Sequence, residues 1–425
     1  MSEQTQPPTK TQQVTQEADT KSNSDVTTHA ISPRLLKAIE YQTPMGQFYA
    51  KATYMSRSQE PGSLNFTLGD AHELPPPGFV EALQRWIVPQ NESWFGYKNN
   101  LPASRATVSA ALKAQRGLLI APEDIFMTNG TVVGLAICLQ MLTEAGDEVI
   151  IITPPWLGYR RMIHVAGAIP VGVPVDPTTF DLDLDAIAAA ITERTRVIIV
   201  NSPHNPTGKI FPATTLEQLA SLLTDASKRY GKPIYLISDE AFSRIVFDNR
   251  TCPSPTQFYP FSLLVYGYSK TLMTPGQRIG YIALPPTMPN PELIRRVISI
   301  VQASTFGWCF PSALMQHALA DLEQLTLDIN HLQRKRDWMV KALKEMGYKL
   351  QTPEGTFFLL VESPWPDDCA FAELLASYDV FVLPGTPQEI PGYFRVSMTA
   401  SEEMITLALP KFQAAIEHAV TKAPA

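Results

Sequence analysis

The feature that most constrains this chain is an alternation that runs from residue 125 to residue 284. Short apolar runs recur there: Ile125-Phe126-Met127, Val149-Ile150-Ile151-Ile152, Val171-Gly172-Val173, Val197-Ile198-Ile199-Val200, Tyr235-Leu236-Ile237, Leu263-Leu264-Val265-Tyr266 and Tyr281-Ile282-Ala283-Leu284. Between them lie stretches of helical periodicity, such as 132–142, 184–191 and 216–227. An unbroken apolar run has no polar side to turn to water, so it reads as a strand covered on both faces. Strands alternating with helices make βα units. They predict an α/β fold, a mostly parallel sheet with helices on both faces. In such sheets ligands collect at the carboxyl ends of the strands. Nearly every polar residue singled out below follows closely on one of these runs.

After residue 312 the pattern changes. A helical region containing His331, Arg334 and Arg336 leads into Phe357-Phe358-Leu359-Leu360, Val380-Phe381-Val382-Leu383 and Phe394-Arg395-Val396, and a closing helix begins near Glu402. Helix followed by short strands, away from the first sheet, predicts a smaller α+β domain. A length of 425 residues suits two or three domains. The expected division is a disordered tail over 1–30, a segment over 31–90 that joins the small domain, a large domain over 91–310 and a C-terminal small domain over 311–425. The first 28 residues are rich in Thr, Gln, Ser and acids, and they contain no arginine and no apolar core. They therefore fit neither a signal peptide nor a mitochondrial transit peptide. No apolar run is long enough to span a bilayer. Cys138, Cys252, Cys309 and Cys369 form no CxxC pair, so neither a metal site nor a disulfide framework is indicated. Free thiols in a reducing cytoplasm are the expectation. A net charge of -7 argues against a nucleic-acid surface but leaves room for one local phosphate site.

The strongest chemical signal is Ser269-Lys270 followed by Gly276-Gln277-Arg278-Ile279-Gly280. Lysine is rarely buried without a purpose. A desolvated amine beside another cation has a lowered pKa and becomes the nucleophile of Schiff-base chemistry. Arg278 can supply that cation and clamp a phosphate. The plain alternative is a strand-end lysine in solvent. In Ile237-Ser238-Asp239-Glu240 an acid sits at a strand tip. There it either caps a turn or pairs with a protonated pyridine nitrogen and makes a cofactor ring an electron sink.

Asn201-Ser202-Pro203-His204-Asn205-Pro206-Thr207-Gly208 is a loop stiffened by two X-Pro steps that can present Asn205 inward. Thr128-Asn129-Gly130-Thr131-Val132 joins a strand to a helix, where free backbone N–H groups seat a phosphate or simply form a capped turn. This makes Gly130, Thr131 and Val132 candidate cofactor contacts. Trp156, in Pro154-Pro155-Trp156, either stacks on a flat ring or packs in the core. Arg395 lies within a strand-like run, where a guanidinium either holds a substrate carboxylate in bidentate fashion or makes a structural ion pair.

Taken together, these strings resemble the class I/II pyridoxal-phosphate-dependent aminotransferases, the aspartate-aminotransferase-like group of fold type I. The resemblance runs in family order from about Leu68 to Arg395. It implies a large domain that binds pyridoxal 5'-phosphate, a small domain built from both chain ends, and a homodimer with active sites at the subunit interface. By position, Lys270 matches the Schiff-base lysine, which also carries a proton between the substrate Cα and the cofactor's C4′. Asp239 matches the acid on the pyridine nitrogen, Asn205 the amide at the phenolic oxygen and Trp156 the stacking aromatic. Gly130, Thr131, Ser269 and Arg278 match phosphate contacts. Arg395 matches the α-carboxylate anchor, with Gly69 beside it.

Three positions depart from the family's pattern: Phe242 and Phe95 where tyrosines are common, and Gly267 where serine is. Each removes a hydroxyl near the cofactor. The implied activity is transfer of an amino group from an L-amino acid to a 2-oxo acid. The alternative is a lyase, cyclase or oxidase that works through the same quinonoid intermediate. His72, just beyond Gly69, is either an additional acid/base or an ordinary surface histidine.

Overall fold

The computed structural model describes residues 32–40, 48, 53–69, 72–304 and 310–421. The expected tail, Asp70, Ala71 and Cys309 lie outside the described residues. Among the described residues the strands form three sheets. The smallest starts with β1 (Leu64–Asn65), which gains a partner from the C-terminal part of the chain. The largest takes the next seven strands: β2 (Ile125–Thr128), β3 (Glu148–Thr153), β4 (Ile169–Pro174), β5 (Thr195–Asn201), β6 (Tyr235–Asp239), β7 (Ser262–Gly267) and β8 (Gly280–Ala283). Each of the seven apolar runs became one of these strands.

Their spatial order is β2-β8-β7-β6-β5-β3-β4. Neighbours from β4 to β7 pair in parallel, while β8 runs antiparallel to both β7 and β2. No helix separates β7 from β8, and a parallel return needs a crossover of a dozen residues or more, usually a helix.

Alternate side chains leave the sheet on opposite faces. Val149, Ile151, Val197, Ile199 and Val265 pack on one face with the helices Thr131–Leu142 and Gly158–Ala166. Ile150, Ile152, Ile198, Val200 and Leu236 pack on the other with the helices Leu184–Ala190 and Ala213–Tyr230. The helix Thr131–Leu142 buries Val133, Leu135, Ile137, Cys138, Leu139 and Leu142, which lie all around its axis. It is therefore an interior element, and its N-terminus sits at the carboxyl end of β2. The outer helix Ala213–Tyr230 buries Thr215, Leu216, Leu219, Ala220, Leu223 and Ala226, the spacing of an amphipathic helix with one buried side.

The C-terminal part supplies β9 (Phe358–Glu362), β10 (Val380–Phe381), β11 (Leu383–Pro384) and β12 (Tyr393–Ser397). β11, β12 and β9 form an antiparallel sheet in that order, while β10 pairs in parallel with β1 through Leu64↔Val380. Phe48, Tyr54, Leu64 and Phe66 share a core with Leu332, Met339, Phe371, Leu375, Phe394 and Phe412. Both chain ends thus build one apolar cluster. Two flanking segments pack elsewhere: Phe79 and Ala82, with Met315, Leu319 and Leu322, join the cluster against Ile125, Met127, Leu264 and Tyr281 of the large sheet. Cys138 and Cys252 are free thiols. Among the described residues no helix is long and apolar enough to cross a membrane.

Candidate active site

Loops leaving the carboxyl ends of β2, β3, β5, β6 and β7 converge on a cavity of about 690 Å³. That volume lies within the usual range for small-molecule sites. Gly69, Thr131, Val132, Trp156, Asn205, Asp239, Ser269, Lys270, Arg278 and Arg395 all line it. Gly130 is not in the lining but lies directly behind Arg278. The candidates scattered over the sequence therefore meet in one place.

At one end of the cavity Gly130 has φ +89°, and a Cβ built there would collide with the Arg278 guanidinium. Only glycine combines that backbone conformation with so close an approach. Arg278 Nη1 donates to Ser269 Oγ at 2.9 Å and to the Pro275 carbonyl at 2.7 Å. Burial lowers the Arg278 pKa from its ordinary value, so this partly desolvated cation gains from a bound anion. With the first N–H groups of the helix Thr131–Leu142 alongside, these groups fit a phosphate.

Gly267 has its own reason for lacking a side chain. A Cβ there would collide with Thr131 Oγ1 and stand 2.9 Å from the Thr131 backbone nitrogen. Gly267→Ser is therefore expected to push the phosphate seat aside, although it restores the family's hydroxyl. Overpacking of this kind costs about 1–3 kcal/mol. The dissociation constant for pyridoxal phosphate should rise about tenfold or more, read by absorbance titration of the apoprotein. Unchanged or tighter binding would sink the steric argument.

Asp239 ends β6 and is buried. Tyr159 OH donates to its Oδ2 at 2.6 Å, and the Ala241 N–H donates to its Oδ1 at 3.1 Å. Burial pushes its carboxyl up to about 6, against the pull of those two hydrogen bonds and of Lys270. The charged form lacks sufficient compensation in the protein alone, and a cationic ring nitrogen would supply it.

Asn201, at the end of β5, ties the next loop to this acid. Its Nδ2 donates to the Asp239 carbonyl at 2.9 Å and its Oδ1 accepts the Asn205 N–H at 2.9 Å. His204 stiffens the same loop. Burial lowers its pKa to about 4, so it is neutral, with Nδ1 2.9 Å from Thr207 Oγ1. Trp156 meets Tyr159 edge to face at 5.4 Å.

Toward the other end, Arg395 is buried in β12 with its guanidinium 4.0 Å above the Phe358 ring. Its Nη1 donates to Asn205 Oδ1 at 3.2 Å and its Nη2 to the Thr67 carbonyl at 2.8 Å. Gly69 faces the neighbouring rings, and a Cβ on it would stand 2.5 Å from Phe357 Cε2 and 3.0 Å from Phe358 Cζ. Lys270 Nζ lies 5.9 Å from the Phe242 ring centroid and 5.5 Å from that of Phe357. Phe242 lines the cavity, whereas Phe95 is half exposed and His72 is exposed, both outside the lining.

Residues 63–412 match the model of a family described as aminotransferase class I and II. The chain belongs to that family. This aminotransferase is 31% identical over 350 residues to the aspartate/prephenate aminotransferase of Thermus thermophilus, a match spanning 79% of this chain and 86% of that protein. The aspartate aminotransferase of Thermotoga maritima is 28% identical over 355 residues, 82% of this chain and 90% of that protein. Among solved structures, an amino transferase from Eubacterium rectale superposes with a TM-score of 0.81 at 28% identity, covering 93% of this chain and 98% of that one. A single mutant of the Thermus thermophilus aspartate aminotransferase gives 0.77 at 30% identity, covering 91% and 99%. The protein is thus a pyridoxal-phosphate-dependent enzyme that moves an amino group from an amino acid to a 2-oxo acid. The α/β expectation stands with it.

Among the cavity residues that sequence reasoning passed over are Tyr159, Asn201, Leu68 and Phe358. Asn201 carried a readable signal as the polar residue closing an apolar strand. Tyr159 carried none, because its contact with Asp239 spans 80 residues.

Proposed function

We propose that Lys270 holds the cofactor and acts as the acid–base residue of this aminotransferase, with Asp239 as partner of the ring nitrogen and Arg395 as anchor of the substrate α-carboxylate. One observation carries the reading. An amine, a buried carboxylate and a buried guanidinium from distant parts of the chain face one cavity at the carboxyl ends of the strands. When bound, pyridoxal phosphate supplies a ring that withdraws the electrons released at the substrate Cα.

Asp239 then holds a proton on the ring nitrogen, and Tyr159 and the Ala241 N–H hold Asp239. Asn205 accepts from Arg395 through Oδ1, which leaves its Nδ2 to donate to the cofactor's phenolic oxygen. The N–H groups at Thr131 and Val132, the Ser269 hydroxyl and the Arg278 guanidinium bind the phosphate, and Gly130 leaves the space they need. Trp156 covers the ring. Arg395 fixes the substrate's carboxylate, and Gly69 keeps the neighbouring space open. Lys270 takes the Cα proton and returns it at the cofactor's C4′.

Borohydride treatment of the holoenzyme, followed by peptide mapping, is the direct test. The cofactor should remain attached to the peptide carrying Lys270. Attachment at another lysine, or at none, would remove the reading.

The same reading makes the working enzyme a cytoplasmic homodimer with active sites at the subunit interface, as the family resemblance implies. Exposed apolar side chains at Val80, Ile87, Val88, Phe95 and Tyr97 support a second copy covering this stretch. It also divides the chain into a large cofactor-binding domain over about 91–310 and a small domain over about 311–425, joined by 31–90. The packing of 79–86 and 313–322 against the large sheet favours assigning both to the large domain.

A further inference from the structure

We propose that Arg160 and Glu389 are positioning residues for amino-group transfer, because their ion pair fixes the carboxylate anchor Arg395 relative to Asp239. The inference rests on the roles proposed above for those two residues. Arg160 follows Tyr159, whose hydroxyl holds Asp239, in the first turn of the helix Gly158–Ala166. Its side chain lies across β4, where a Cβ on Gly172 would stand 2.5 Å from Arg160 Nη2. There the guanidinium meets Glu389 through two hydrogen bonds, Nε donating to Oε1 and Nη2 to Oε2, each at 2.5 Å.

Glu389 belongs to the loop that joins β11 to β12, the strand of Arg395. That loop is stiff. The Gly385 N–H donates to the Tyr393 carbonyl at 2.7 Å and the Ile390 N–H to the Gly385 carbonyl at 3.0 Å. Asp368 Oδ2 accepts the N–H groups of Thr386 at 2.7 Å and of Gly392 at 3.1 Å. A displacement of Glu389 is thus passed on to β12 instead of being absorbed in the loop.

Along the same edge Ile390 and Tyr393 pack on an apolar cluster of the large sheet, with Tyr393 edge to face with Phe180 at 6.3 Å. Apolar burial is non-directional, so it holds the two sheets together without setting one alignment. A bidentate guanidinium–carboxylate pair does set one. The two side chains are 15% and 27% exposed, so water and salt screen this pair less than an open surface pair. Its loss lets Arg395 drift against the substrate Cα, and a shift of about 1 Å can cost about 10²-fold in rate.

The test uses full-length holoenzymes: wild type, Arg160→Met, Glu389→Gln, the double variant and Arg395→Gln. The substrate is the amino acid that wild type converts fastest in a panel of the standard ones. The competitive inhibitor is the corresponding carboxylic acid without the amino group. KM and the inhibition constant do not depend on how much of a variant folds. Each single variant should raise both about tenfold, and the double variant no further than the larger single, because one interaction is removed only once. The dissociation constant for pyridoxal phosphate should stay within about twofold, since Thr131, Ser269 and Arg278 are held at the ends of β2 and β7.

A lower thermal midpoint with both constants unchanged makes the pair merely structural and overturns the inference. Additive effects in the double variant overturn it too. Arg395→Gln separates the two levels. If that variant leaves the inhibition constant unchanged, the anchor reading falls and the inference with it. If it raises the constant while Arg160→Met and Glu389→Gln do not, only the inference falls.

Discussion

Lys270→Ala is expected to lower kcat for amino-group transfer by at least about 10⁴-fold, with the fold intact. Acid–base catalysis by a positioned side chain contributes roughly 10²–10⁴-fold on its own, and loss of the covalent hold on the cofactor adds to it. The amine stands three residues beyond β7, between the Phe242 and Phe357 rings. No other amine lines the cavity among the described residues, so none can take its place. Removing it takes away neither a core side chain nor a strand bond. The far-UV circular dichroism spectrum should therefore match wild type while turnover with an amino acid and a 2-oxo acid disappears. Activity within tenfold of wild type would assign the chemistry elsewhere.

Asp239→Asn is expected to lower kcat about 10²–10³-fold. The amide keeps the shape of the carboxylate but not its charge. Truncating one side of a buried charge pair costs about 2–5 kcal/mol. The same residue should leave a mark on the apoprotein's stability. Burial raises its carboxyl to about 6 in the folded chain, whereas an unfolded Asp titrates near 3.9. Between those values the folded state keeps a proton that the unfolded state has lost. The buried carboxylate therefore destabilises the apoprotein above pH 6, and that penalty fades as the pH falls toward 4. Two pKa units correspond to about 3 kcal/mol. Thermal midpoints of the two apoproteins at pH 7 and pH 4.5 test this. Wild type should gain on Asp239→Asn at the lower pH. Parallel behaviour of the two would mean that Asp239 is not the strained group.

Asp239 and Lys270 were legible because an ionisable residue at the end of an apolar strand contradicts the pattern around it. Asn205 and Arg278 were legible through the strings that contain them. Gly267 and Phe242 stood out only as departures. In the structure Gly267 owes its missing side chain to the close approach of Thr131, and Phe242 packs edge to face with Phe357.

The sequence alone determined the strands, the helices between them and the end of the sheet at which chemistry belongs. Those follow from the periodicity of burial, which is local. Only the tertiary structure decided that β8 runs against its neighbours, that Tyr159 holds Asp239, and that Arg395 lies over Phe358 and reaches Asn205 across 190 residues. Such contacts come from strand order and from the meeting of two sheets. Spacing along the chain carries no record of them, because packing joins surfaces wherever they fit.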